Sequence, residues 1–152
     1  MIRFALSLIL ALSVASHACA AGNWSLMDSA GKSVSLSDFR GKWVLVNFWA
    51  TWCPGCLSEI PDLERLHRDG KLTVIGVAVS YKKRDEVLDF TKKQGITYPV
   101  VLGNEDTASR FGGLEGLPSS FLYSPQGELV GRHEGPLSGD DLAAAIRGDH
   151  PL

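Results

Sequence analysis

Two stretches of the chain are apolar almost without interruption, and each marks a strand buried on both faces. The clearer is Trp43-Val44-Leu45-Val46-Asn47-Phe48-Trp49. Leu72 to Val79 (LTVIGVAV) is the second. Between the two the period changes. Cys56, Ile60, Leu63 and Leu66 recur at spacings of four, three and three, one stripe of a helix that ends near Gly70. Pro61 lies inside that helix and is expected to kink it, because proline removes a backbone donor.

Shorter patterns fill the rest. Trp24 to Met27 and Ser33 to Ser35 read as two short strands around the turn-rich Asp28-Ser29-Ala30-Gly31. Ser37 to Lys42 reads as a polar connection. Asp85 to Gln94 reads as a helix with Val87, Leu88 and Phe90 for packing, stopped by Gly95. Tyr98 to Leu102 predicts a short strand, and Asp106 to Phe111 a short helix before Gly112-Gly113. Ser124-Pro125-Gln126-Gly127 joins Ser119–Tyr123 to Glu128–Glu134 as a hairpin. Ser138 with Asp141 three residues on caps a last helix, whose inner face is Leu142, Ala145 and Ile146. The order predicts an α/β fold with a central mixed β-sheet flanked by helices.

The first twenty residues follow a different grammar. Met1-Ile2-Arg3 is basic, Phe4 to Val14 is apolar apart from two serines, and Ala18-Cys19-Ala20 is an Ala-x-Ala exit. Residues 1–20 are therefore expected to be a secretory signal peptide, and residues 21–152 the folded domain. The apolar run is short for a membrane span, which needs roughly 20 residues. Cutting before Cys19 and acylating it is the competing reading, but Ser16-His17-Ala18 is a poor approach to a lipidation site. Export places the protein on the oxidising side, in the periplasm where a cell has one.

Composition narrows the function classes. The 152 residues are 45% hydrophobic and 21% charged, enough for a packed core and against wholesale disorder. Fifteen basic residues against 17 acidic ones leave a net charge of −2, without the basic clustering that nucleic acid requires. Lys82-Lys83-Arg84 and Lys92-Lys93 read as solvated helix faces. Only three cysteines occur, too few for a disulfide-stapled scaffold.

Two of those cysteines carry the candidate chemistry. Cys53-Pro54-Gly55-Cys56 falls at a strand-to-helix junction. A helix start presents unpaired N–H groups and the positive end of the helix dipole, and both stabilise a thiolate. Cys53 is thus expected to be an accessible nucleophile of lowered pKa. Pro54 suits the first helical turn, where its missing donor has no helical partner anyway. Cys56 is directed inward and can resolve a mixed disulfide formed at Cys53. The alternatives are a structural disulfide, half of a zinc site, a copper site using both thiolates and a distant histidine, and a single-cysteine peroxidase. The first closes a loop too small to stabilise much. The zinc reading lacks a second CxxC pair, and His67, His133 and His150 show no ligand spacing. No metal, flavin or nucleotide cofactor is expected, because two sulfurs carry both electrons.

Asn47-Phe48-Trp49-Ala50-Thr51-Trp52-Cys53-Pro54-Gly55-Cys56 resembles the active-site segment of the thioredoxin superfamily. More narrowly it is similar to the exported TlpA/ResA-like and cytochrome-maturation thioredoxins. Ser37-Asp38-Phe39-Arg40-Gly41-Lys42, Glu59-Ile60-Pro61, Gly95-Ile96-Thr97-Tyr98-Pro99-Val100 and Gly116-Leu117-Pro118-Ser119-Ser120-Phe121-Leu122 belong to the same pattern. The resemblance implies a thioredoxin-like fold with an N-terminal β-hairpin and a helix–strand insertion around Asp85 to Leu102. It implies a cis Leu117–Pro118 bond opposite the cysteines, where the backbone before the proline can pair with a bound polypeptide. From the residues alone, Pro118 is only a turn before a strand. Trp52, Pro54 and Leu117 are the expected substrate-binding residues. Trp49 and Trp52 can form an apolar platform around Cys53, and simple core packing is an equally consistent role for Trp49.

Two departures bear on mechanism. Asn47 stands where many thioredoxins carry a buried aspartate, so it cannot accept the resolving thiol's proton. Glu59 is the available carboxylate, read either as a proton relay for Cys56 or as a solvated charge on the helix face. Ser119 replaces the glutamate that cytochrome-maturation members often carry after the proline, which weakens that narrower assignment. Superfamily potentials run from about −270 to −120 mV, from reductant to oxidant. The TlpA-like context implies a reductase of protein disulfides, with a disulfide-forming oxidase as the rival. The implied electron donor is a membrane thiol transporter of the DsbD/CcdA kind. The implied substrates are exported disulfide proteins, apocytochrome c among them, and the protein is expected to be a monomer.

Overall fold

The structure is a computed structural model and describes residues 23–152; the signal-peptide expectation for residues 1–20 lies outside them. The first apolar run forms β3 (Val44–Trp49), the middle of a five-stranded sheet. On one side it pairs in parallel with β4 (Thr73–Ala78), which pairs in parallel with β5 (Val100–Leu102). On the other it pairs antiparallel with β6 (Ser119–Tyr123), and β6 with β7 (Leu129–Glu134). The sheet is therefore mixed, in the order β5-β4-β3-β6-β7.

Alternation along the strands divides the core into two layers. Leu45, Trp49, Val74 and Leu122 face α1 (Pro54–Arg68) and α4 (Gly139–Arg147), meeting Leu63, Leu66 and Leu142. Val87 of α2 (Arg84–Gln94) joins this layer. Val44, Val46, Phe48, Ile75, Val77 and Phe121 face the opposite way. They are covered by Phe111, just past the short helix α3 (Glu105–Ser109), and by the hairpin of β1 (Ser25–Met27) and β2 (Ser33–Ser35). A central strand covered on both faces cannot alternate apolar with polar, which is why β3 reads as one apolar run.

The ends of the elements follow their local chemistry. Ser138 caps α4 by accepting from the Asp141 N–H, and Asp141 answers by accepting from the Ser138 N–H at 3.1 Å. Gly95, at φ 67°, ends α2 in the left-handed conformation that glycine adopts without strain. Pro61 lies inside α1 as expected, at an exposed position. Two expectations change. The polar connection holds one turn of 3₁₀ helix, Leu36–Phe39, with Asp38 accepting from the Ser35 N–H. The strand expected from Tyr98 begins only at Val100, because Pro99 has no N–H for the ladder and Tyr98 turns its ring over Gly76.

Candidate active site

The site stands at the carboxyl end of β3, where the chain leaves the sheet and enters α1. Cys53 is the residue immediately before the helix, with extended backbone, and its Sγ accepts the Cys56 N–H at 3.2 Å. That N–H is one of the donors a helix start leaves unpaired, so it is aimed at the sulfur by the helix itself. Pro54 occupies the first turn. Cys53 and Cys56 are joined as a disulfide, with Cα atoms 5.3 Å apart.

The expected contrast between an open Cys53 and a sheltered Cys56 is small in this oxidised state. Cys53 is 4% exposed and Cys56 fully buried. With the bond closed, Cys53 Sγ is turned to its partner and to the Cys56 N–H instead of to water. The pair also belongs to the helix-side core with Leu137. Across from it the Leu117–Pro118 bond is cis. A Cβ on Gly55 would lie 3.3 Å from Pro118 Cδ and 3.6 Å from Pro136 Cδ, so glycine between the cysteines lets two prolines close on the loop.

The two tryptophans part company. Trp49 is buried and packs against Phe90 at 5.3 Å between centroids, so it belongs to the core and not to an exposed platform. Trp52 is 62% exposed and its indole N–H donates to the Ser80 carbonyl at 3.1 Å. Ser80 holds φ 55°, a left-handed conformation costly for a residue with a Cβ, and its carbonyl fixes the indole. Thr51 adds a second tie, donating to Glu86 Oε1 of α2 at 2.7 Å.

Glu59 is not a solvated charge. It is 2% exposed, accepting from Asn47 Nδ2 at 2.6 Å and from the Leu137 N–H at 3.1 Å. Burial pushes its carboxyl up to about 7, against the lowering effect of those two hydrogen bonds. Asn47 also donates to Ser120 Oγ at 3.1 Å. Asn47 and Ser120 are register partners on β3 and β6, so the sheet sets two polar side chains side by side in the buried interior. The arrangement serves both protonation states. Rotating the Asn47 amide by a half-turn presents its oxygen to a protonated Glu59, while the Ser120 hydroxyl turns to donate. Glu59 thus stands as a buried carboxyl three residues along the helix from Cys56, with its charge favoured only toward neutral pH.

Of the sequence-predicted residues, Cys53, Pro54 and Cys56 stand together at the start of α1, and Pro118 after its cis bond to Leu117 lies against Gly55 between the cysteines. Trp52 is exposed just before them, and Glu59 is buried further along α1. Sequence reasoning missed the partners of Glu59, namely Asn47 and the Leu137 N–H, and the Ser120 hydroxyl that Asn47 also holds. Asn47 and Ser120 were visible as polar letters inside apolar strands, and two such letters in neighbouring strands are the available signal. Leu137 and Ser80 act through backbone atoms, which no side-chain pattern reports. Among the described residues, no group of three or more His, Cys, Asp and Glu side chains is placed to hold a metal ion.

The mixed sheet, the cysteine pair at a helix start and the cis-proline facing it define the thioredoxin-like class of thiol–disulfide oxidoreductases. The chain belongs to the AhpC/TSA family, which matches residues 18–132. It is 35% identical over 113 residues to thiol-disulfide oxidoreductase ResA of Bacillus subtilis (strain 168), covering 72% of this chain but only 63% of that relative. It shares 34% identity with a thioredoxin-family thiol:disulfide interchange protein of Chlorobium tepidum TLS, over 84% of this chain and 93% of that one, with TM-score 0.75. A DsbF homologue from Corynebacterium diphtheriae is 29% identical over 84% of this chain and 85% of its own, also with TM-score 0.75. These likenesses bear out the ResA/TlpA-like resemblance read from the cysteine segment.

Proposed function

We propose that the protein works outside the cytosol as a monomeric reductase of protein disulfides. The observation that carries this reading is Cys53 Sγ at the start of α1 accepting the Cys56 N–H, with the buried carboxyl of Glu59 on the same helix. In the reduced protein the Cys53 thiolate attacks a substrate disulfide. A Cys53–substrate bond forms, and one substrate sulfur leaves as a thiolate. Cys56 gives its proton to Glu59 and attacks Cys53 Sγ. This closes the Cys53–Cys56 bond and releases the second substrate sulfur, so two electrons pass to the substrate. Pro118 and Leu117 shape the groove for the substrate backbone, and Trp52 and Pro54 border the opening.

The basic, apolar, Ala-x-Ala sequence of residues 1–20 supports export, with lipid attachment at Cys19 as the alternative. Intact-mass measurement of the mature protein separates the two. A reductant in an oxidising compartment must be recharged, which calls for a membrane thiol transporter of the DsbD/CcdA kind. The acceptors are disulfides of exported proteins, including the CxxCH motif of apocytochrome c. Insulin-disulfide reduction with dithiothreitol tests the chemistry: Cys53→Ser is expected to fall to the uncatalysed rate, and an unchanged rate refutes the reading. Equilibration against glutathione tests the direction, because a potential near about −120 mV would make the protein an oxidase.

A further inference from the structure

A groove of about 510 Å³ opens on the far side of Leu117 from the cysteine pair, and apart from Leu117 its lining has no part in the thiol chemistry described above. One wall is Val79 and Ser80 at the end of β4, another is α3 with Glu105 and Ala108, and the third is the loop from Gly113 to Leu117. Its ends meet the active site twice. Leu117 leads into the cis bond with Pro118, whose ring faces Gly55 between the cysteines. Ser80 is the residue whose carbonyl holds the Trp52 indole. A polypeptide whose cysteine reacts at Cys53 therefore has this groove as the adjacent place for its flanking side chains.

The groove is held open by bonds of its own. Arg132 donates to the Gly113 carbonyl at 3.1 Å and pairs with Glu134 at 3.0 Å, and Glu134 accepts the Glu115 N–H at 3.4 Å. On the facing wall Asn104 caps α3 by accepting from the Thr107 N–H at 2.9 Å. Val79, Ala108, Leu114 and Leu117 make the lining partly apolar, and its only formal charges are Glu105 and Glu115. Arg132 is engaged by Glu134, and Arg110, just past α3, lies along the surface shared with Ser25 and Met27.

We propose that this groove selects among protein disulfides by the sequence flanking the attacked cysteine, favouring a segment that pairs an apolar residue with a lysine or arginine. Apolar floor and acidic rim complement that segment and repel an acidic one. The inference rests on the reductase reading and goes beyond it by naming the substrate class. It is tested with three short peptides containing one disulfide each, alike except for lysine, serine or glutamate two residues from the cysteine. Reduction by the dithiol form of the full protein is followed as kcat/KM.

The lysine peptide is expected to be about three- to tenfold better than the serine peptide at low salt, and the glutamate peptide worse. The preference should shrink in 0.5 M salt, where screening is within about 5 Å. In the Glu105→Gln/Glu115→Gln double variant the lysine-to-serine ratio is expected to fall to about one. Asp69→Asn/Asp89→Asn changes net charge equally on other surfaces and should keep the wild-type ratio. Equal rates on all three peptides, or equal loss of preference in both double variants, would overturn the groove and leave the reductase reading standing. Failure to reduce any of the peptides would sink both.

Discussion

Replacing Glu59 with glutamine changes how the stability of the oxidised protein depends on pH. The substitution keeps the volume of a side chain that is 2% exposed. Its oxygen can still accept the Leu137 N–H, and its amide can donate to Asn47 once that amide turns. What it removes is the ionisation. Burial raises the Glu59 carboxyl from 4.5 to about 7, a change worth about 3 kcal/mol. A carboxyl whose folded pKa exceeds its unfolded one binds the proton more tightly in the native state. Its contribution to stability is fully present below about pH 4.5, declines as pH rises, and is gone above about pH 7. His67, lowered chiefly by burial, acts with the opposite sign but is common to both proteins and cancels in their difference. Denaturant unfolding of the disulfide form at pH values from 4 to 8 measures that difference without thiol titration. The wild type should lose about 3 kcal/mol relative to Glu59→Gln across the range. A difference that stays flat would refute the buried, proton-binding role assigned to Glu59.

Gly76→Ala is expected to destabilise by about 1–3 kcal/mol, since its Cβ would lie 2.8 Å from Tyr98 Cε2 and 2.9 Å from Trp49 Nε1. Thermal or urea unfolding reads this directly, and a neutral result would mean that the two rings yield readily. Ser138→Ala removes the cap of α4 and should cost about 1 kcal/mol in the same assay, with the Asp141 carboxylate losing its hydroxyl donor.

Much of the fold was legible in one dimension because it rests on local chemistry. The β6–β7 hairpin is announced by Ser-Pro-Gln-Gly between two strand patterns, and the α4 cap by Ser138 and Asp141. The cysteine site was legible for the same reason: a CxxC pair after a buried strand puts two sulfurs on the first turn of a helix, whatever surrounds them. Glu59 was not legible. One turn along the same helix, its letter fits a solvated face or a buried one equally well. Its burial depends on Asn47, Ser120 and the Leu137 backbone, and residues 47 and 137 are brought together only by tertiary packing. For Trp49 the sequence left platform and core packing equally open, and the fold decided for the core. It lies next to the active-site loop in sequence, but strand alternation sends its ring into the core against Phe90.

By itself the sequence determined the alternation of strands and helices, the placement of Cys53 at a helix start, and the family likeness those residues carry. These are consequences of periodicity, capping and covalent spacing, which act over a few residues. The tertiary structure alone decided that Glu59 is buried against Asn47 and the Leu137 N–H, that Cys53 is covered while its bond is closed, and that Glu105 and Glu115 line one groove with Leu117. Each of these depends on which distant segments exclude water from a given atom, and exclusion of water is a property of the packed assembly rather than of any one stretch of chain.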